Sequence, residues 1–223
     1  NLPPATHADI VNGTFANGNE SDPQFAWDLR GGVSVEHGAA VLREDGNLNS
    51  SLSQAFILPA NVQSLRFTIL NLELSTQNTA LASAPPDAFE VALLDSATFV
   101  PLAGVVDGLT LTDSLLNIQA GWTTYKHAGV TLTPIGTSGT SYLVDVDLTG
   151  VTVGTGARLY FDLLGFGDRT SSVTIDNVLL TNGQPTAAPV AVNDSYTVAE
   201  GTTLDVPTLG LLANDLDHDT SAF

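Results

Sequence analysis

The chain has 223 residues, 43% of them hydrophobic, enough for one large β domain or for one domain plus part of another. Its 24 acidic residues against 6 Lys and Arg give a formal net charge of -18, a sign that repels nucleic-acid phosphates and anionic membranes and suits capture of divalent cations. With no Cys, disulfides, thiolate metal sites and Cys nucleophiles are excluded.

Helix signals are nearly absent. Apolar and polar residues alternate instead, with Gly, Asn, Asp and Pro between the runs. In chain order the pattern predicts strands over 33–43, 52–58, 64–74, 88–95, 123–132, 141–148, 157–164 and 172–180. Leu65, Phe67 and Ile69 alternate with Arg66, Thr68 and Leu70. Residues 96–121 are the least regular, with 99–104 and 109–116 read as short strands or a long loop over one sheet. Runs of about 7 to 10 residues separated by turn clusters are the mark of a two-sheet sandwich. No apolar run reaches the roughly 18 residues that span a bilayer. Asn1 leads directly into polar, Pro-containing sequence, so a secreted chain is expected to begin here downstream of processing.

The stretch NGQPTAAP marks a boundary. Residues 1–181 are read as one sandwich, 182–189 as a linker and 190–223 as a separate segment. At about 34 residues that last segment is too short to bury a core alone. It is therefore expected to be part of a further domain or a tail whose strands pair with another edge.

The tail reads PVAVNDSYTVAEGTTLDVPTLGLLANDLDHDT. Asn193, Asp194, Tyr196, Glu200–Gly201 and the run 211–215 resemble the start of the cadherin-like and Ig-like repeats strung together in large bacterial surface proteins. Asp215, Asp217 and Asp219 alternate in the manner of hard-cation loop ligands, so they are candidate Ca²⁺ ligands. The plain alternative is a polar turn with no ion.

Residues 8–181 carry a second resemblance. The opening ADIVNGTFANG, with Asn12, Gly13, Phe15 and then Trp27, and the closing SVTIDNVLL are similar to the first and last strands of jelly-roll carbohydrate-binding modules. The resemblance implies that the opening loop and Asp176 lie side by side, as they do around a structural Ca²⁺, although Ala16 stands where an acidic ligand is common. DAFEVALLD, TDSLLN and FDLLGFGDRTSSVTIDNV look like a recurring sandwich domain of large secreted bacterial proteins. On that likeness Asp87, Asp113 and Asn117 are candidate ligands for an ion pinning loop to sheet, with turn capping as the alternative. Trp27, Trp122 and Tyr125 are the candidate sugar platforms, or else structural residues at the sandwich ends.

Catalytic signals are missing. There is no nucleophile elbow, HExxH, phosphate loop or dinucleotide fingerprint. Neighbouring carboxylates such as Glu44–Asp45 are expected by chance among 24. The expectation is an all-β, jelly-roll-type sandwich with a partial Ig/cadherin-like segment. Its expected role is a non-catalytic, Ca²⁺-stabilised adhesion or structural module, secreted or on a cell surface, without membrane insertion. The alternatives are a carbohydrate-binding module with a polysaccharide partner, and a filament or surface-layer subunit that adds a strand to a neighbour through 190–206.

Overall fold

A computed structural model of the chain describes residues 5, 7–46, 48–76, 85–121, 123–166, 170–182, 201 and 203. The chain divides into two units, Asn1–Asn182 and Gly183–Phe223. The expected linker beyond Asn182, the tail strands and Asp215, Asp217 and Asp219 lie outside the described residues.

The described residues of the first unit form strands and turns with no helix. The early strands are β1 (Asp28–Arg30), β2 (Gly32–Glu36), β3 (Ala39–Arg43), β4 (Asn49–Ile57) and β5 (Ser64–Glu73). Then come β6 (Ala88–Asp95), β7 (Leu116–Gln119), β8 (Thr123–Lys126) and β9 (Val130–Pro134). The last are β10 (Tyr142–Asp147), β11 (Gly156–Leu164) and β12 (Ser172–Thr181). They build two six-stranded sheets, ordered β1-β4-β11-β6-β7-β8 and β2-β3-β12-β5-β10-β9. Every strand pairing is antiparallel. The result is the expected all-β, jelly-roll-type sandwich.

Alternation along each strand puts one face of each sheet into the core. Leu52, Phe56, Phe89, Val91, Leu93, Leu159, Phe161 and Leu163 from the first sheet are buried with Leu65, Phe67, Ile69, Val144, Val173 and Ile175 from the second. Phe161 of β11 sits at the middle. Its ring meets Phe67 of the opposite sheet edge-on at 5.0 Å, and Phe89 and Trp27 lie at 6.4 and 6.3 Å.

Two predicted runs divide. The run 33–43 is a hairpin, β2–β3, because His37 and Gly38 both take positive φ, 53° and 77°. That is the geometry of the tight turn whose twist matches antiparallel strands. The run 123–132 is β8 and β9, which belong to different sheets. The crossing is held at His127, whose backbone N–H donates to Leu115 and whose carbonyl accepts from Val130. Strand β7 starts where a short strand was expected to end, so Asn117 is a strand residue and not a loop residue.

β12 carries register shifts between Thr174 and Ile175 and between Asp176 and Leu179. Gly13 packs on the second of these. Val178 N–H donates to Gly13 O at 2.9 Å, and a Cβ on Gly13 would lie 1.8 Å from Val178 O. The opening segment therefore lies beside the closing strand, as the jelly-roll resemblance implies.

Phe161→Ala opens a cavity where the two sheets meet and is expected to cost about 3–5 kcal/mol, read from the midpoint of denaturant unfolding. A cost below about 1 kcal/mol would show that Phe161 is not the centre of the core.

Candidate functional site

The outward face of the first sheet carries a row of side chains at one register level. Arg30 of β1 faces Ser51 of β4, and Ser51 faces Asp162 of β11. Asp162 faces Glu90 of β6, Glu90 faces Asn117 of β7, and Asn117 faces Tyr125 of β8. Because side chains alternate across a strand, residues at one register level lie on one face. The row therefore crosses all six strands with a guanidinium, a hydroxyl, two carboxylates, an amide and a phenol.

The row is partly sunk. Ser51 and Asn117 are buried, Asp162, Glu90 and Tyr125 are half-buried, and Arg30 is exposed. Asp162 and Glu90 are directly opposed, which places their Cβ atoms about 5 Å apart. Burial pushes the Glu90 carboxyl up, and the charges of Asp162 and Asp113 push it further. Hydrogen bonds from Asn117 and Ser114 pull it partly back. Asp162 is raised by burial and by the charge of Asp113, and hydrogen bonds from Ser51 and Asn49 oppose the shift. Asn117 Nδ2 donates to Glu90 Oε1 at 2.5 Å.

Neighbouring levels frame the row. Arg158 of β11, 1% exposed, reaches back to β1 and donates from Nη1 to Asp28 Oδ2 at 2.9 Å. Tyr160 stands between Arg158 and Asp162 on the same face, and burial pushes its phenol up. Gly108 closes on the edge of Tyr125, where an added Cβ would lie 3.5 Å from the ring. Leu111, fully exposed, is held at a φ of 59° two residues before Asp113.

The expected site residues fall in different places. Asn117 is in the row, and Asp113 is exposed on the loop before β7 and acts electrostatically on both carboxylates of the row. Tyr125 ends the row. Asp87, 3% exposed, instead ties down a loop through hydrogen bonds: Oδ1 accepts from Phe166 N at 2.7 Å and Oδ2 from Ser171 Oγ at 2.6 Å. Trp27 is a correction. It is 5% exposed, packs on Phe15 at 5.2 Å and on Phe161, and donates from Nε1 to Asn12 O, so it is a core residue with no face for a sugar. Trp122 lies outside the described residues.

Asp176 stands at the junction between the opening segment and β12, where the resemblance implies Ca²⁺. Its carboxylate accepts from Asn177 N at 2.6 Å, and the Asn12 amide is taken by Asn17 and Phe25. Among the described residues no three His, Asp or Glu side chains converge as a metal-holding group.

Glu90, Asp162 and Ser51 were not singled out from sequence. Their signal is a lone carboxylate inside a mostly apolar run, Glu90 in AFEVALL and Asp162 in LYFDLLG. Each occupies an outward position of a strand whose inward positions are fully apolar.

No family model matches the chain, and no curated protein matches it. Among solved structures it is similar to the K3 cleaved adhesin domain of Lys-gingipain from Porphyromonas gingivalis w83, at 16% identity and a TM-score of 0.41 over 78% of this chain and 99% of that one. It is similar to TmCBM27, a carbohydrate-binding module studied for specific mannan recognition, at 14% identity and a TM-score of 0.36 over 70% and 87%. It is also similar to lectin I-B4 from Griffonia simplicifolia, at 11% identity and a TM-score of 0.38 over 78% and 98%.

The opposed carboxylates give a stability prediction with a definite sign. Both groups hold protons more tightly folded than unfolded, so their contribution is greatest below the unfolded carboxylate range near pH 4 and is lost as pH rises through the raised folded values. Asp162→Asn removes a like charge from the pair and is expected to stabilise by about 0.5 kcal/mol at neutral pH. The gain should shrink on acidification below about pH 4, where both carboxyls are protonated. Thermal unfolding of the two proteins across pH checks this, and a gain that grows in acid would reverse the assignment.

Proposed function

We propose that the chain is a non-catalytic, extracellular binding module that takes a carbohydrate on the outward face of its first sheet. The observation that carries this reading is the six-residue row from Arg30 to Tyr125. A sugar presents several hydroxyls in fixed directions and a flat apolar face. Carboxylates and amides accept from those hydroxyls, and a phenol ring covers the apolar face while keeping a polar tip. Six strands hold these groups in a lattice with little freedom to rearrange, so little ordering is needed on binding.

The row also favours binding over hydrolysis. Glycoside hydrolysis divides labour between two carboxyls in unlike environments, one protonated and one ionised. Glu90 and Asp162 are both raised, each first by burial and then by the charge of Asp113.

Calcium enters this reading through Asp215, Asp217 and Asp219 alone, as a stiffener of the segment that follows the sandwich. Adhesion or assembly would be the task of the larger protein in which such a module is repeated or displayed, and strand addition through 190–206 is one way to achieve it.

Affinity electrophoresis of the full chain in gels of soluble polysaccharides is expected to show retardation by at least one of them. Tyr125→Ala and Asn117→Ala should each weaken that binding about tenfold, the loss typical of truncating an anchor in a small site. Binding that survives both changes would place the site elsewhere. Thermal unfolding with Ca²⁺ and then with a chelator tests the ion: a rise in midpoint abolished by Asp217→Asn supports the tail site, and no shift removes calcium.

A further inference from the structure

The opening loop carries two Asn-Gly steps, Asn12–Gly13 and Asn17–Gly18. Glycine has no side chain to obstruct its own backbone nitrogen, so that nitrogen can reach the side-chain carbonyl carbon of a preceding Asn. The fold treats the two steps differently.

Asn12 is locked. Its backbone is held at a φ of 53°. Its Nδ2 donates to Asn17 O at 2.8 Å and to Phe25 O at 3.3 Å, and its Oδ1 accepts from Asn17 N at 3.0 Å. Gly13 is pinned as well, because its carbonyl accepts from Val178 N and a Cβ on it would lie 1.8 Å from Val178 O. Ring closure at this step would need both the amide and the backbone to turn.

Asn17 is open. Gly18 is exposed, and a Cβ on it would meet the side chain of Val35 at 3.6 Å, an ordinary contact. Among the described residues, neither Gly18 N–H nor Asn17 Nδ2 donates a hydrogen bond. The Asn17 amide is engaged at its other end, where Oδ1 accepts from Asn19 N at 3.0 Å. That N–H polarises the carbonyl and points at the oxygen that turns negative when a nucleophile adds. The attacking nitrogen and the leaving nitrogen are both free, and the oxygen between them is supported.

We propose that Asn17 is a site of spontaneous covalent modification in the folded protein, deamidating to aspartate and isoaspartate, and that the isoaspartate form loosens the opening loop. The Gly18 nitrogen adds to Asn17 Cγ, its proton passes through solvent to Nδ2, and the Cγ–Nδ2 bond breaks to release ammonia. A five-membered succinimide remains. Water opens the ring at Cγ to give aspartate, or at the former backbone carbonyl to give isoaspartate. Overall water replaces ammonia, and nothing is oxidised or reduced.

Isoaspartate routes the chain through Cβ and Cγ and turns the old backbone carbonyl into a free carboxylate. That carbonyl is the acceptor that Asn12 Nδ2 uses. Asn12 is the hub of the loop, since its own carbonyl accepts from Phe15 N at 3.1 Å and from Trp27 Nε1 at 3.0 Å. The extra backbone atom therefore spoils the clasp that seats Phe15 and Trp27 in the core.

The test ages the full chain in mildly alkaline buffer, native and in urea, and locates the converted residues by fragmentation mass spectrometry. Native Asn17 is expected to convert, as two chromatographically distinct products, at least about tenfold faster than Asn12, the factor that one net hydrogen bond of about 1.4 kcal/mol supplies. In urea, where the clasp is gone, the two rates should converge. Gly18→Ala should keep the fold and suppress conversion at residue 17. In the native protein, an Asn17 that stays amidated, or that converts no faster than Asn12, overturns the site. Undiminished conversion in Gly18→Ala overturns the ring mechanism. Thermal unfolding reads the consequence: the isolated isoaspartate form is expected to melt a few degrees below Asn17→Asp, which carries the same charge on an unaltered backbone. Equal midpoints overturn the loosening and leave the modification standing.

Discussion

The alternation along β11 is the constraint on which the structure depends. Leu159, Phe161 and Leu163 point into the core, where Phe161 meets Phe67 from the other sheet. Arg158, Tyr160 and Asp162 point the other way. With a side-chain period of two, a slip of one residue would place a guanidinium and a carboxylate among Phe67, Phe89 and Trp27, and a phenyl ring on the open face. The register that builds the core is therefore the register that builds the row. A central strand in this position, paired along its whole length to β4 and β6, fixes both at once.

The two faces of that sheet are not held by the same physics. The inner face is stabilised by burial of apolar area, which is indifferent to detail. The outer face is held against its own electrostatics. Burial raises both Glu90 and Asp162, the charge of Asp113 adds to each, and neutral donors among the described residues, Asn117, Ser114, Ser51 and Asn49, offset part of the shift. A surface selected only for solubility would separate these groups or alternate their sign. Arg158 shows that the fold can neutralise a carboxylate on this face, since it pairs with Asp28 one level away.

Much of the fold was legible in the sequence. Strand 88–95 was read to its ends, and β4, β5, β10, β11 and β12 to within a few residues, because each alternates cleanly between turn residues. The failures have local causes. The run 33–43 reads as one strand because a two-residue turn at His37 and Gly38 is too short to interrupt the alternation. The run 123–132 hides a change of sheet, which depends on His127 bonding to Leu115, a contact no pattern within the run contains. The site was half legible. Asp113, Asn117 and Tyr125 were singled out as isolated candidates, two for a metal and one for a sugar. Glu90 and Asp162 were passed over because each sits in a run that reads as core. Only the pairing of β11 with β6, over 60 residues apart in sequence, brings the two carboxylates to one place.

That separation bears on what the face can do. Loops in such sandwiches tolerate change, whereas a row carried on six strands changes only if each strand keeps its core side. Each residue of the row can be altered singly without touching the core, because its side chain points outward from a strand whose packing is set by its neighbours in sequence. The chemistry of the row is thus free to vary while its geometry is fixed. The loop bearing Asp113 then stands as the adjustable element beside a rigid one, adding charge to Glu90 and Asp162 without fixing their positions. A face of this construction separates the placing of a ligand, which belongs to the sheet, from the choice of ligand, which belongs to the few side chains that line it.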